Sequence, residues 1–247
     1  MARKSKSEAV TCEEPKKPTV CAVKFKLDDL KRLDPLTQTQ VDFFRAYDQG
    51  DYFITLHGVS GTGKSLCAFY KAIQEVLTKG NLYHKVVIIR SAVQSREQGF
   101  LPGGVEEKMS QYEMPYIQIA HTLFGRKDAW DILKATDRAE FLSTSFIRGM
   151  TFENSVVIVD EIQNMNYSEL ATITQRIGNN SKIIFCGDIR QNDLLKNKND
   201  VSGLKKFLEV SLLMPCHTRF EFTVDDIVRS SLVKEFIIAE LEYEDKE

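Results

Sequence analysis

One octapeptide, Gly58-Val59-Ser60-Gly61-Thr62-Gly63-Lys64-Ser65, constrains the folds open to this 247-residue chain more than any other feature. It fits G-x-x-x-x-G-K-[ST] without a mismatch. Phe53-Ile54-Thr55-Leu56 before it reads as a short buried strand, and Leu66, Phe69, Ile73, Val76 and Leu77 after it share one helical stripe. Strand, glycine-rich turn and helix open a parallel α/β unit. The glycines let the backbone turn tightly, so successive N–H groups point inward beside the positive end of the helix. That cradle suits phosphate oxygens. Residues Gly58 through Ser65 would hold them, Lys64 would reach the β/γ-phosphates as a point charge, and the Ser65 hydroxyl would hold Mg²⁺. The plain alternative is a tight turn before a helix, with no ligand.

The pattern recurs downstream. Val86-Val87-Ile88-Ile89, Val156-Val157-Ile158-Val159 and Ile183-Ile184-Phe185 read as strands buried on both faces. Helical stretches fall at 65–79, 168–177 and 224–241, the second capped by Asn166 or Ser168, the third with Val228, Leu232 and Phe236 on one face. Alternating strands and helices predict an α/β fold, a mostly parallel sheet flanked by helices, with ligands beyond the strands' carboxyl ends. The segment 91–140, carrying Gly99, Pro102, Gly103, Gly104 and Pro115, reads as an irregular excursion over one edge of the site. Residues 1–26 hold seven Lys/Arg, three Glu and few large apolar side chains, which predicts a flexible basic tail. It is either a solvated end or a grip on phosphate backbone. One folded domain is expected over 27–241, and 242–247 read as a charged fray.

Composition removes some classes of function. The net charge of −2 gives no global pull toward nucleic acid, so such binding needs a local basic surface. No apolar run approaches the roughly 20 residues that cross a bilayer, and Met1-Ala2-Arg3-Lys4-Ser5-Lys6 has no apolar segment behind it. No membrane association or secretory signal is expected. Five scattered cysteines, at 12, 21, 67, 186 and 216, read as reduced thiols of a cytoplasmic protein. The four histidines lack ligand spacing and read as surface or packed residues.

A second constellation completes the phosphate chemistry. The strand Val156–Val159 ends in Asp160-Glu161, where the aspartate would hold Mg²⁺ directly or through its water shell. Glu161, beside the metal and the γ-phosphate, can orient a water and take its proton. Transfer to a small-molecule hydroxyl would require excluding that water, so the glutamate favours hydrolysis over a kinase reaction. The bland alternative is a pair of acids capping the next helix. The third strand ends in Cys186-Gly187-Asp188-Ile189-Arg190-Gln191, which makes Gln191 a candidate sensor of the γ-phosphate.

Taken together these residues resemble the PhoH-like ATPases, relatives of the superfamily 1 helicase core, over roughly Leu36 to Leu241. Pro35-Leu36-Thr37-Gln38-Thr39-Gln40 is similar to that family's upstream glutamine motif, which implies that Gln40 reads adenine. Ile89-Arg90-Ser91-Ala92-Val93 with Gly99-Phe100-Leu101-Pro102-Gly103, then Ile147-Arg148-Gly149-Met150-Thr151, then Asp160-Glu161-Ile162-Gln163-Asn164, follow in family order. Arg176-Ile177-Gly178, Gly187-Asp188 with Gln191 and Asp193, and Asp226-Ile227-Val228-Arg229 with Leu232-Val233 close the series. Ser91 stands where the family usually has Pro, and Met150 where it commonly has a second Arg, which removes a cation. The resemblance implies a single RecA-like P-loop NTPase domain and a homohexamer.

An arginine must also neutralise the departing γ-phosphate, and Arg229 and Arg219 are the candidates, Arg229 being the one in a family motif. Acting across a subunit boundary, it would make the site a product of head-to-tail ring assembly. Expected, then, is Mg²⁺-dependent ATP hydrolysis coupled to RNA or single-stranded DNA, with Lys196, Lys198, Lys205 and Lys206 as a basic cluster. The alternative is a nucleotide-gated assembly or regulatory switch acting on proteins.

Overall fold

The structure, a computed structural model, describes residues 24–91, 105–188 and 203–244. These form one six-stranded sheet with the order β3-β2-β4-β5-β1-β6. Its strands are β1 (Phe53–Gly58), β2 (Lys85–Arg90), β3 (Ala139–Ser143), β4 (Ser155–Asp160), β5 (Lys182–Gly187) and β6 (His217–Phe222). Every pairing is parallel. Parallel neighbours need crossovers, and helices supply them: α1 (Gln38–Asp48), α2 (Lys64–Leu77), α3 (Val105–Phe124), α4 (Ala129–Ala135), α5 (Tyr167–Thr174), α6 (Gly203–Ser211) and α7 (Ser231–Glu244). The expected parallel α/β sheet flanked by helices is the architecture found.

Alternation along each strand sorts the core into two layers. Ile54, Leu56, Val86, Ile88, Val156, Ile158 and Ile184 face α1 to α4, where Phe69, Ile73, Tyr116 and Trp130 pack. Phe53, Val87, Ile89, Val157, Val159 and Phe185 face α5 and α6, against Leu170, Ile173, Leu204 and Phe207. Each such side chain, removed from water, contributes about 1.5–3 kcal/mol before the cost of ordering the chain. Because all six strands run the same way, Arg90, Asp160 and Gly187 at the ends of β2, β4 and β5 gather at the edge where β1 passes into the glycine-rich turn.

The structure corrects three local expectations. Residues 105–140 are not irregular: they form α3, α4 and the start of β3, with Pro115 inside α3. Tyr116, Ala120, Leu123 and Phe124 recur at helical spacing and are buried, and this packing outweighs the hydrogen bond that Pro115 removes. The helix expected over 224–241 splits into a 3₁₀ turn, Val224–Asp226, and α7. Between them the chain is drawn onto the glycine-rich turn, where Val228 N–H donates to the Gly61 carbonyl at 3.1 Å. Leu232 and Phe236 are accordingly exposed, while Ile237 packs on Val59 and Ile227. The helix expected over 168–177 runs Tyr167–Thr174, with Asn166 and Glu169 forming a reciprocal capping box. Among the described residues no helix is long and apolar enough to cross a membrane. Their three cysteines, Cys67, Cys186 and Cys216, are free.

Candidate functional site

The cluster begins where β1 ends. Lys64 opens α2 and turns back over the loop, its Nζ donating to the carbonyls of Gly58 at 2.9 Å and Val59 at 2.7 Å and to Thr62 Oγ1 at 3.2 Å. Burial pulls the Lys64 pKa down, while Asp188, Cys186, Glu161 and Asp160 push it back up. All three ammonium protons thus rest on loop oxygens. A phosphate seated at the start of α2 would compete for them with full negative charge, the stronger acceptor. Ser60 through Ser65 line the cleft, whereas Val59 faces the core beneath.

Asp160, the last residue of β4, is 5% exposed, and its Oδ1 accepts from Ser65 Oγ at 2.8 Å. One strand, β5, separates β4 from β1, which sets that carboxylate across from the loop. A hydroxyl and a carboxylate so close are hard oxygen donors suited to Mg²⁺, which ordinarily takes one or two protein ligands and fills its octahedron with phosphate and water. Among the described residues no group of three or more His, Cys, Asp or Glu is placed to hold a metal.

Glu161 follows with φ 55° and ψ 46°, left-handed backbone that costs a non-glycine residue about 1 kcal/mol. The kink turns its carboxylate off the sheet and into the cleft. Oε1 meets Arg90 Nη2 at 3.2 Å, and Oε2 accepts from Gln163 Nε2 at 2.5 Å. Gln163 Oε1 in turn accepts the backbone N–H of Asp188 at 3.0 Å, tying Glu161 to the tip of β5. Desolvation, then the neighbouring Asp160, raises the Glu161 pKa, and Arg90, Gln163 and Lys64 oppose the rise. A carboxylate with raised proton affinity at the mouth of a cleft is suited to accept a proton.

These groups bound a cleft of about 510 Å³, lined also by Gln118 and Thr122 of α3 and by Arg229, whose side chain lies against Gly61. The volume lies in the range of small-ligand sites. Arg229 therefore lies in the cleft of its own chain. Arg219 does not: on β6 it donates from Nε to His57 Nε2 and sits 3.9 Å from Glu221. Gln40 is buried beneath the loop, outside the cleft lining, with Nε2 donating to Thr62 O at 3.0 Å and Oε1 accepting from Leu36 N–H at 2.7 Å. Gln191, with Asp193, Lys196, Lys198 and the Gly99–Gly103 motif, lies outside the described residues. Met150, where a cation was missing, packs against the second core layer.

Arg90 and Gln163 were given no role from sequence. Arg90 ends a buried strand as Asp160 does and sits opposite it in register, so a polar residue closing such a strand was the available signal. Gln163 stood in the Asp160–Asn164 motif, but its bridge to the tip of β5 joins residues 25 apart and left no local signal.

A family profile described as PhoH-like protein matches residues 32–240. A PhoH-like protein of Bacillus subtilis is 32% identical over 204 residues, covering 82% of this chain and 62% of that protein. Protein PhoH of Escherichia coli K12 is 30% identical over 206 residues, covering 79% of this chain and 54% of its own length. The chain thus spans about three fifths or less of these relatives. Among solved structures, one of two coordinating Pif1 helicases unwinding forked DNA aligns with TM-score 0.36 and 13% identity, over 77% of this chain and 44% of that one. A second solved structure, of an isolated ATPase domain, aligns with TM-score 0.27 and 13% identity, over 64% of this chain and 66% of that domain.

Proposed function

We propose, since this chain belongs to the PhoH-like protein family and carries the cleft described above, that it binds ATP with Mg²⁺ and hydrolyses it. The observation that carries the reading is the meeting of Ser65 and Asp160 at 2.8 Å, with Lys64 and Glu161 on the same cleft. Each group then has one task. The N–H groups of Ser60 through Ser65 seat the phosphates, since the Val59 N–H is taken by the Phe222 carbonyl, and Lys64 exchanges loop carbonyls for phosphate oxygens. Ser65 and Asp160 would hold Mg²⁺, which when bound neutralises phosphate charge. Glu161 orients a water and takes its proton, and Gln191 senses the γ-phosphate. Arg229, already in the cleft of its own subunit, faces the developing charge from within the chain, so the geometry favours supply in cis over supply from a neighbour. Gln40 holds the loop's shape through Thr62 and Leu36, and its second amide N–H and second Oε1 lone pair are what it would offer to adenine.

The coupled partner in this reading is RNA or single-stranded DNA, bound by a cytoplasmic homohexameric ring. Its support is the family resemblance and the exposed Lys205 and Lys206 on α6, the latter with Nζ 4.2 Å from the Tyr167 ring centroid. The test is phosphate release with and without RNA or single-stranded DNA, for the wild type and Glu161→Gln. The reading expects stimulation by a single-stranded polymer and a loss of about 10²–10⁴-fold on substitution, the usual contribution of a general base. Hydrolysis indifferent to both polymers would favour the protein-directed switch, and no phosphate release would end the ATPase reading.

A further inference from the structure

We propose that Arg90 exchanges partners on nucleotide binding. In the free protein it holds Glu161, and a bound triphosphate draws it onto the γ-phosphate, releasing one carboxylate oxygen toward water. This rests on the nucleotide reading above and names the step by which that site is armed.

Both oxygens of Glu161 are engaged in the structure, Oε1 by Arg90 and Oε2 by Gln163. Each oxygen keeps a second lone pair for a water, but a guanidinium paired with the carboxylate compensates its charge and makes it a weaker base, so loss of one partner strengthens it. The two are held very differently. Gln163 is 3% exposed, and the Asp188 backbone N–H can only donate. The amide oxygen must therefore face Asp188, and the NH₂ must face Glu161. Turning the amide over would break both bonds inside the protein, at a site where unmet polar groups are costly.

Arg90 meets Glu161 at the tip of a side chain that is partly open to the cleft. Its side chain is 20% exposed and Glu161's is 35%, the contact is 3.2 Å, and Arg90 lines the same cleft as Lys64 and Ser65. Its place is set by β2, whose last residue pairs in register with Asp160. A γ-phosphate entering there brings more charge than one carboxylate and three oxygens that match the planar guanidinium fork. Arg90 is thus a positioning residue for Glu161 in the free protein and a phosphate ligand in the loaded one. ADP, lacking the γ-phosphate, would leave it on Glu161.

A double-mutant cycle read by equilibrium binding tests this. Fluorescent derivatives of the non-hydrolysable triphosphate AMPPNP and of ADP are titrated, with Mg²⁺, into wild type, Glu161→Gln, Arg90→Gln and the double variant. If the ion pair must break for the triphosphate to bind, Glu161→Gln tightens AMPPNP about fivefold more with Arg90 present than in the Arg90→Gln background, as expected for a partly exposed charged pair. ADP should show no such excess. Arg90→Gln should also cut the preference for AMPPNP over ADP by roughly tenfold, the worth of one hydrogen bond between charged groups. Arg90→Lys, which keeps the charge without the fork, should recover part of it, and it stands in should Arg90→Gln not fold. An equal effect of Glu161→Gln in both backgrounds would mean that Arg90 stays on Glu161, which overturns the exchange alone. Wild type that binds neither nucleotide would bring down the nucleotide reading and the exchange with it.

Discussion

Replacing Gly58 by alanine should damage this protein far beyond the loss of a flexible residue. Gly58 has φ +123° at the end of β1 and pairs in register with Phe222 of β6. A Cβ built there lies 2.0 Å from the Phe222 carbonyl oxygen and 2.8 Å from that residue's N and C. These are backbone atoms, so no rotamer change relieves the clash. Left-handed strain for an L-residue costs on the order of 1–3 kcal/mol. Moving β6 aside breaks the 2.9 Å bond from Val59 N–H to the same carbonyl, and an unmet buried N–H costs about 1–3 kcal/mol more. The sum is about 4 kcal/mol. Gly80→Ala is the matched control, because Gly80 has φ +78° and nothing within 4 Å of its Cβ position, which leaves strain of about 1 kcal/mol. Denaturant unfolding of the two variants should differ by about 3 kcal/mol, and thermal midpoints by roughly 6–12 °C for a chain of this size. Agreement of the two variants within about 1 kcal/mol would refute the steric argument. It would mean that β6 yields freely at the point where it braces the loop.

Two further outcomes follow from the buried charges. His57 is fully buried, and desolvation, then Arg219, lowers its pKa from 6.5 to about 4. Between those values the unfolded chain binds the extra proton, so this contribution to stability is whole above about pH 6.5 and drains away as pH falls toward about 4. The slope of unfolding free energy against pH in that window should flatten in His57→Gln, and an unchanged slope would exclude His57 as its source. Lys182 is 4% exposed and meets Glu75 at 3.1 Å and the Tyr47 carbonyl at 3.3 Å, with Nζ 4.0 Å from the Tyr47 ring centroid. Lys182→Met leaves the Glu75 carboxylate with the Tyr47 hydroxyl but no cation and should destabilise by about 3 kcal/mol in denaturant unfolding, part of it regained by adding Glu75→Gln. A loss below about 1 kcal/mol would show that the carboxylate finds water.

Buried strands were legible because each announces itself locally. Val86–Ile89, Val156–Val159 and Ile183–Phe185 are apolar on both faces, and all three lie inside strands of the central sheet. The edge strands were not. β3 alternates buried and half-buried residues and carries Glu140, and β6 reads His-Thr-Arg-Phe-Glu-Phe, a pattern any polar loop can show. Their pairing supplies what their composition does not. α3 was hidden by Pro115, whose usual meaning is overridden by the packing of Tyr116 against Phe69, Trp130 and Phe141. The interruption before α7 was invisible because its cause, the bond of Val228 to Gly61, joins residues far apart in the chain.

The chain's own order of residues determined the cradle at Gly58–Ser65, the run of buried strands and the presence of an acid pair at a strand end. Those properties depend on neighbours within a few positions. Which side chains meet was decided by strand order. Ser65 touches Asp160 from 95 positions away and Arg90 touches Glu161 from 71, because β4 lies one strand from β1 and directly beside β2. A spacing that long carries no local signal. Only folding the sheet brings its strand tips within hydrogen-bonding reach.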